Sequence, residues 1–312
     1  MRIIFMGNPN FAIPCLKQIM ESEHELVAVV SNPEKRMGRG KQLSHTPVGK
    51  FAVENELPLV QAESLTDPTF IERLKSYNAD LNILVAYRIL PQVLIDLPTK
   101  GSINLHASLL PKYRGAAPIQ WALMNGDKAT GLSTFFLEKS VDTGKMIHQI
   151  SIPILEDDDY ASLSERLSQE GAKLLVKTVD AIATGEFQEM NQNEKQISRA
   201  PKISKEMTQI NWGDSGEKIA NWIRGLSPKP GMQARLNEKG IRLFKGKYEE
   251  SISEKIQVGE IYDVEATSLK IGTGKGYLHV SEVQLEGKRR MTVKDFLLGN
   301  DIHPGDTFEV NP

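Results

Sequence analysis

One cysteine, Cys15, is all that the 312 residues contain. That count excludes a disulfide framework and a thiolate metal site within one chain. No apolar run approaches the roughly 20 residues of a membrane span, so no membrane association is expected. The opening stretch MRIIFMGNPNF has too short an apolar run for a signal peptide and reads as a first strand. Net charge is only -2, so no global field favours nucleic acid, although a local basic patch could still do so. The six histidines are scattered, with no H-E-x-x-H pairing. A cytoplasmic, metal-free protein is the expectation. The turn after the first strand, Gly7-Asn8-Pro9-Asn10, lacks the G-x-G-x-x-G of dinucleotide folds, and Pro9 removes a backbone donor there. This argues against a nicotinamide or flavin oxidoreductase; Asn8 and Asn10 read as an ordinary tight turn. Ile271-Gly272-Thr273-Gly274-Lys275-Gly276 lacks the Walker pattern and reads as a hairpin turn.

What is present is a chain long enough for two domains, 40% apolar and 25% charged. Its first half alternates short apolar runs (Arg2–Met6, Leu26–Ser31, Asp80–Ala86, Ser102–His106, Leu132–Leu137) with helical patterns near Phe11–Ser22, Pro47–Asn55, Pro68–Tyr77 and Pro118–Met124. This alternation predicts an α/β fold with an open, mostly parallel, Rossmann-like sheet. Asp157-Asp158-Asp159 opens a long helix that Gly185 stops. Gln188–Lys205 is polar with few apolar anchors. From Met207 onward a short helix near Ser215–Arg224 precedes Gly-punctuated strand-like runs, predicting a small all-β, OB-like barrel. The expected division is a catalytic domain over 1–187, a linker over 188–206 and a second domain over 207–312. Neither half is basic by composition. Lys288-Arg289-Arg290 reads as an exposed turn before a helix capped by Thr292.

Two features could carry chemistry. Glu34-Lys35-Arg36-Met37-Gly38-Arg39-Gly40-Lys41 is a basic, glycine-containing loop after the second strand. It suits either a solvated loop or one that docks a polyanion, with Arg36, Arg39 and Lys41 on phosphates. In Asn104-Leu105-His106-Ala107-Ser108-Leu109-Leu110-Pro111, the strand period of two places Asn104 and His106 on one face where the strand runs out. Ligands of open α/β sheets bind at those carboxyl ends. An amide can donate to a developing oxyanion, and an imidazole nearby can move a proton. Asp142, in Val141-Asp142-Thr143-Gly144, is the natural third group, but on spacing alone it reads more simply as a residue capping the Thr143-Gly144 bend.

Asn104-x-His106, Ser108-Leu109-Leu110-Pro111-x-Tyr113-Arg114-Gly115 and Val141-Asp142-Thr143-Gly144 together resemble the signature of the folate-dependent formyltransferases. The basic loop, Ile210-Asn211-Trp212 and Ile223-Arg224-Gly225-Leu226-Ser227-Pro228 fall in the order expected of that family's two-domain members, so the resemblance covers essentially the whole chain. It implies an enzyme that moves the formyl group of 10-formyltetrahydrofolate, its co-substrate, to the α-amino group of initiator methionyl-tRNA. It implies catalytic roles for Asn104, His106 and Asp142. Folate contacts would come from Ser108, Leu109, Leu110 and Pro111, with Tyr87, Arg88, Ile89 and Leu90 flanking the pterin. Arg36, Arg39 and Lys41 would enter the tRNA acceptor stem, and the second domain would support the tRNA. No metal and a monomeric state are expected. The chain departs from the family at Asn8 and Asn10, where Thr and an acid are usual, and at Arg88, in place of a common Gly. Lys229 and Gln233 stand where tryptophans are common.

Three other readings use the same residues. Formyl transfer to a small amine, such as glycinamide ribonucleotide or a nucleotide sugar, is opposed by the inserted basic loop and the second domain. Hydrolysis of the donor would put water in the acceptor's place. A non-catalytic RNA-binding module would not need an intact Asn104, His106 and Asp142.

Overall fold

Arg2–Gly7 (β1) is buried along all but its first residue, as its unbroken apolar run requires of a strand covered on both faces. The computed structural model to which it belongs describes residues 1–37, 42–251 and 256–310. After β1 come α1 (Ile13–Met20), β2 (Glu25–Val30), β3 (Lys35–Met37), β4 (Gln42–Ser44), α2 (Pro47–Glu54), β5 (Leu59–Val60), α3 (Pro68–Ser76), β6 (Leu81–Val85) and α4 (Gln92–Ile95). Then follow β7 (Ser102–His106), β8 (Arg114–Gly115), α5 (Pro118–Met124), β9 (Ala129–Phe136), β10 (Met146–Pro153), α6 (Tyr160–Thr184) and β11 (Arg199–Ala200). The chain divides into two compact units. The first holds Met1–Gly115, Thr130–Pro153 and Ser164–Ala200; the second holds Ala116–Ala129, Ile154–Leu163 and Pro201–Pro312.

The first unit is built on a seven-stranded sheet in the order β10-β9-β7-β6-β1-β2-β5. Its strands from β5 to β7 pair in parallel. Only then does the direction reverse, with β9 antiparallel to β7. The mostly parallel sheet expected from the alternating pattern is therefore present. Helix starts follow local chemistry. Thr46 caps α2 by accepting from the Gly49 amide, and Asp67 caps α3 by accepting from the Thr69 and Phe70 amides. Asp159 accepts from the Ser162 amide at the start of α6, and Gly185 ends that helix at φ 78°. On one side of the sheet, Ile4, Met6, Val30 and Leu84 pack with Phe70, Leu74, Leu94 and Ile95. Each such fully buried side chain stabilises the fold by about 1.5–3 kcal/mol.

Two strands of this sheet go beyond the sequence pattern. The two-residue β5 is too short to register as a run. The edge strand β10 has apolar and polar residues mixed in the burial pattern BBieieBe and ends on Pro153, which an edge strand tolerates. The segment around Arg36 forms an antiparallel ribbon, with Lys35 opposite Ser44 and Arg36 opposite Leu43. Asn8 is more than a turn residue: its Oδ1 accepts from the Asn32 amide and the Ser31 hydroxyl, tying the ends of β1 and β2 together.

The second unit continues with α7 (Gly216–Leu226), β12 (Met232–Leu236), β13 (Lys239–Glu249), β14 (Ile261–Val264), β15 (Leu269–Gly272), β16 (Tyr277–Leu285), β17 (Met291–Thr292) and α8 (Val293–Leu297). Its sheet order is β12-β13-β16-β15-β14, paired antiparallel, with β17 added on β16. A late segment bridges both edges. The Glu309 amide donates to Arg235 beside β12, while the Phe308 amide donates to Gly259 and Asp306 accepts from the Ile261 amide beside β14. This closes the sheet into a small all-β barrel around Trp212, whose ring lies 4.8 Å from that of Phe308. Thr273 turns the β15–β16 hairpin by bonding Lys275 and Gly276 carbonyls, and Thr292 caps α8, as the sequence suggested. Gln233 is held between Gln209 and Thr208.

Candidate active site

Three parallel strands end at one edge of the first unit's sheet: β1 at Gly7, β6 at Val85 and β7 at His106. Register sets Asn104 beside Leu84 of β6 and Phe135 of β9, and His106 beside Ser133 of β9. Asn104, on the same face as His106, is only partly buried. His106 is 6% exposed. Its Nε2 lies 2.9 Å from the Tyr113 carbonyl oxygen. A carbonyl only accepts, so Nε2 carries the hydrogen and Nδ1 is the nitrogen left to exchange a proton. That Nδ1 is 3.9 Å from Oδ2 of Asp142. The gap is too long for a direct hydrogen bond.

Asp142 is itself positioned. It is 8% exposed and has left-handed backbone at φ 55°. Its Oδ2 accepts from the Gly115 amide at 2.8 Å, and its carbonyl oxygen accepts from the Gln192 amide at 2.9 Å. Two loops far apart in sequence thus meet at His106 and Asp142. Tyr113 supplies its carbonyl from a left-handed conformation (φ 60°), and its amide donates to the Ser198 hydroxyl. Gly115, at φ 127°, sits where a Cβ would press on the Ala200 carbonyl. Tyr113, Gly115, Ser198 and Gln192 act largely through backbone groups or a single amide. Sequence pattern gives Ser198 and Gln192 no signal; Tyr113 and Gly115 belong to the motif, but their roles through backbone groups are not marked by residue type.

The other expected site residues fall in three groups. Ser108, Leu110 and Pro111 are buried. The Ser108 hydroxyl donates to the Lys112 carbonyl, and Leu110 packs on Phe135 and Met146. Leu109 is partly exposed. At the end of β6, Ile89 is 71% exposed while Leu90 is buried. Tyr87 is half-buried, and burial raises its phenol pKa. The Arg88 guanidinium donates to the Ala62 and Glu63 carbonyls and to the Tyr87 hydroxyl, and lies 5.5 Å from the Tyr87 ring centre. The left-handed residue of this turn is Ala86, at φ 50°. Arg88 therefore occupies its place without needing the backbone freedom of glycine. Arg36 is exposed on the β3–β4 ribbon, whose neck is clamped by His45 and Glu34 at 3.0 Å. Arg39 and Lys41 lie outside the described residues.

A histidine held by a carbonyl on one nitrogen, a carboxylate beside the other and an amide on the same strand are groups that acyl transfer can use. Models of the formyl transferase family match residues 1–179, and models of the formyl transferase C-terminal domain match residues 202–301. The chain belongs to the formyl transferase family, and the resemblance carried by its Asn104–Gly115 and Val141–Gly144 motifs holds over its length. Within that family it is 40% identical over 310 residues to the methionyl-tRNA formyltransferase of Azobacteroides pseudotrichonymphae, covering 96% of each chain. Solved structures share the fold. HypX from Aquifex aeolicus, in complex with tetrahydrofolic acid, matches with a TM-score of 0.65 at 18% identity, covering 96% of this chain and 47% of that one. The N-formyltransferase from Helicobacter canadensis, in complex with folinic acid and dTDP-3-aminofucose, matches with a TM-score of 0.64 at 17% identity, covering 93% of this chain and 99% of that one.

Proposed function

We propose that this enzyme transfers the formyl group of 10-formyltetrahydrofolate to the α-amino group of methionine esterified to initiator tRNA. The observation that carries this reading is the 40% identity to a methionyl-tRNA formyltransferase along nearly the whole of both chains. Residues 1–187 would serve as the catalytic domain, 188–206 as the connection and 207–312 as the tRNA-supporting domain. Tyr87, Arg88, Ile89, Leu90 and the Ser108–Pro111 loop would form the folate side, and Arg36, Arg39 and Lys41 the acceptor-stem side. The protein would act in the cytoplasm as a monomer; no described helix is long and apolar enough to cross a membrane.

An α-amino group has a pKa of roughly 7.7–8.0, so about a tenth or more of it is already the free nucleophile at neutral pH. Its nitrogen attacks the formyl carbon, and the carbonyl electrons move onto oxygen. Asn104 donates to that oxygen as charge builds. His106 takes the amine's proton at Nδ1, since Nε2–H is held by the Tyr113 carbonyl, and Asp142 stabilises the resulting imidazolium across 3.9 Å. Collapse expels the folate nitrogen, which takes up a proton.

The test is a formylation assay with labelled 10-formyltetrahydrofolate and charged initiator tRNA, elongator tRNA, free methionine or an amino sugar as acceptor. Label should go to initiator tRNA. Transfer only to a small amine would replace this reading with the small-acceptor one, and release of free formate alone would replace it with hydrolysis. In the same assay Asn104→Ala should lower kcat by about 100-fold or more, the usual cost of one oxyanion donor.

A further inference from the structure

Gln192 sits in the polar stretch that follows α6, where sequence pattern offers it no role. Its amide is spent completely. Nε2 donates to the carbonyl oxygens of Asp142 and Gly144, both at 2.9 Å. Oε1 accepts from Arg114 at Nε (3.1 Å) and at a terminal guanidinium nitrogen (2.6 Å). The Arg114 side chain is only 11% exposed, and it also reaches Glu194. Gln192 thus joins the loop after β7 to the loop between β9 and β10, which carry the Tyr113 carbonyl that holds His106, the Gly115 amide that donates to Asp142, and Asp142 itself.

The surrounding strap fixes where Gln192 sits. Met190 and Met146 exchange both backbone hydrogen bonds, at 2.9 and 2.8 Å. Downstream, Ser198 accepts from the Tyr113 amide through its hydroxyl and from the Arg114 amide through its carbonyl. Arg199 and Ala200 then pair in parallel with Arg114 and Gly115. Gln192 lies between these anchored ends.

We propose that Gln192 is a positioning residue for Asp142, acting as a latch that sets the carboxylate's placement toward Nδ1 of His106; this rests on the catalytic roles proposed above. The need for a latch lies in the Asp142 backbone. Aspartate tolerates left-handed backbone better than most residues with a Cβ, so the conformation costs it little, but it does not fix itself there; the surrounding bonds select it. Gly115 fixes one carboxylate oxygen, and Gln192 fixes the peptide from which the side chain departs. A glutamate of the same length would still accept from Arg114, but it would turn a carboxylate oxygen toward two carbonyl oxygens. Only the amide satisfies both sides.

The experiment compares the full-length wild type with Gln192→Ala, Gln192→Glu, Asp142→Ala and the Gln192→Ala/Asp142→Ala double variant. Steady-state kinetics would use 10-formyltetrahydrofolate and charged initiator tRNA, with thermal melts confirming that each variant is folded. Gln192→Glu and Gln192→Ala should each lose about tenfold or more in kcat, as small misplacements of reacting groups do, with KM for both substrates within about twofold. In the Asp142→Ala background, Gln192→Ala should cost less than about twofold further, because the group it positions is gone. A folded Gln192→Glu enzyme with wild-type kcat overturns the latch while the catalytic set stands. So does a full additional loss on top of Asp142→Ala, which would mean that Gln192 acts elsewhere. An Asp142→Ala enzyme with wild-type kcat would overturn the catalytic set, and the latch with it.

Discussion

His106 and His148 contrast two ways of using an imidazole in one unit. His106 is fixed by a carbonyl on one nitrogen and faces a carboxylate on the other. His148, on β10, bonds the Thr178 hydroxyl, and burial, with Lys177 adding to it, lowers its pKa from the ordinary 6.5. The sign follows from linkage. The folded protein resists protonating His148 more than the unfolded chain does, so this contribution is full above pH 6.5 and is lost as pH falls from there through the lowered folded-state value. Urea unfolding at pH 7.5 and 5.5 should therefore show a smaller loss of stability for His148→Gln than for the wild type. Equal losses would mean that His148 contributes no linkage. Cys15 shows the opposite outcome for a reactive group: burial pushes its thiol up to about 12, so it is an inert core residue at physiological pH.

At the scale of elements, the loop between β9 and β10 is shaped by close approach as much as by hydrogen bonds. A Cβ at Gly144 would overlap the Phe136 carbonyl oxygen, whereas one at Gly185, after α6, would meet nothing within 4 Å. Gly185→Ala should cost about 1–2 kcal/mol, the penalty of left-handed backbone alone. Gly144→Ala forces the loop apart and should cost on the order of 3 kcal/mol, with activity falling because the same loop carries Asp142. Denaturant melts and formylation rates of the pair check this. Comparable stability losses at the two sites would show that the loop yields where its geometry says it is tight.

At the scale of the whole chain, the second unit is not a simple C-terminal segment. It takes in α5, whose Trp121 ring meets Trp222 of α7 edge-on at 6.2 Å, and whose Met124 lies against Gly225. It also takes in residues 154–163, where the carbonyls of Leu155 and Glu156 accept from Arg224. A fragment beginning at residue 201 leaves these partners behind. Losing the burial of Met124 alone removes about 1.5–3 kcal/mol, and the partly buried Trp121 adds to that. Fragment 201–312 should bind a hydrophobic dye and melt without a sharp transition. A cooperative transition matching one in the full chain would show that the barrel is stable without α5.

Residue types and their spacing along the chain carried the short-range chemistry. Unbroken apolar runs marked β1 and β6 as doubly covered strands. The strand period placed Asn104 and His106 on one face, and cap residues such as Asp159 and Thr292 marked helix starts. The motif around Asn104–Gly115 was legible because its residues are contiguous, and their types state their chemistry. Tertiary structure decided what depends on partners distant in the chain. The Tyr113 carbonyl leaves Nδ1 of His106 to exchange a proton. The fold brings Asp142 to 3.9 Å from that nitrogen, where spacing alone made it a turn residue. Gln192, in a stretch that looked like a connection, grips both loops. Hydrogen bonds to backbone carbonyls and amides leave no mark on residue type, because every residue carries the same groups; only the packed chain selects which ones meet.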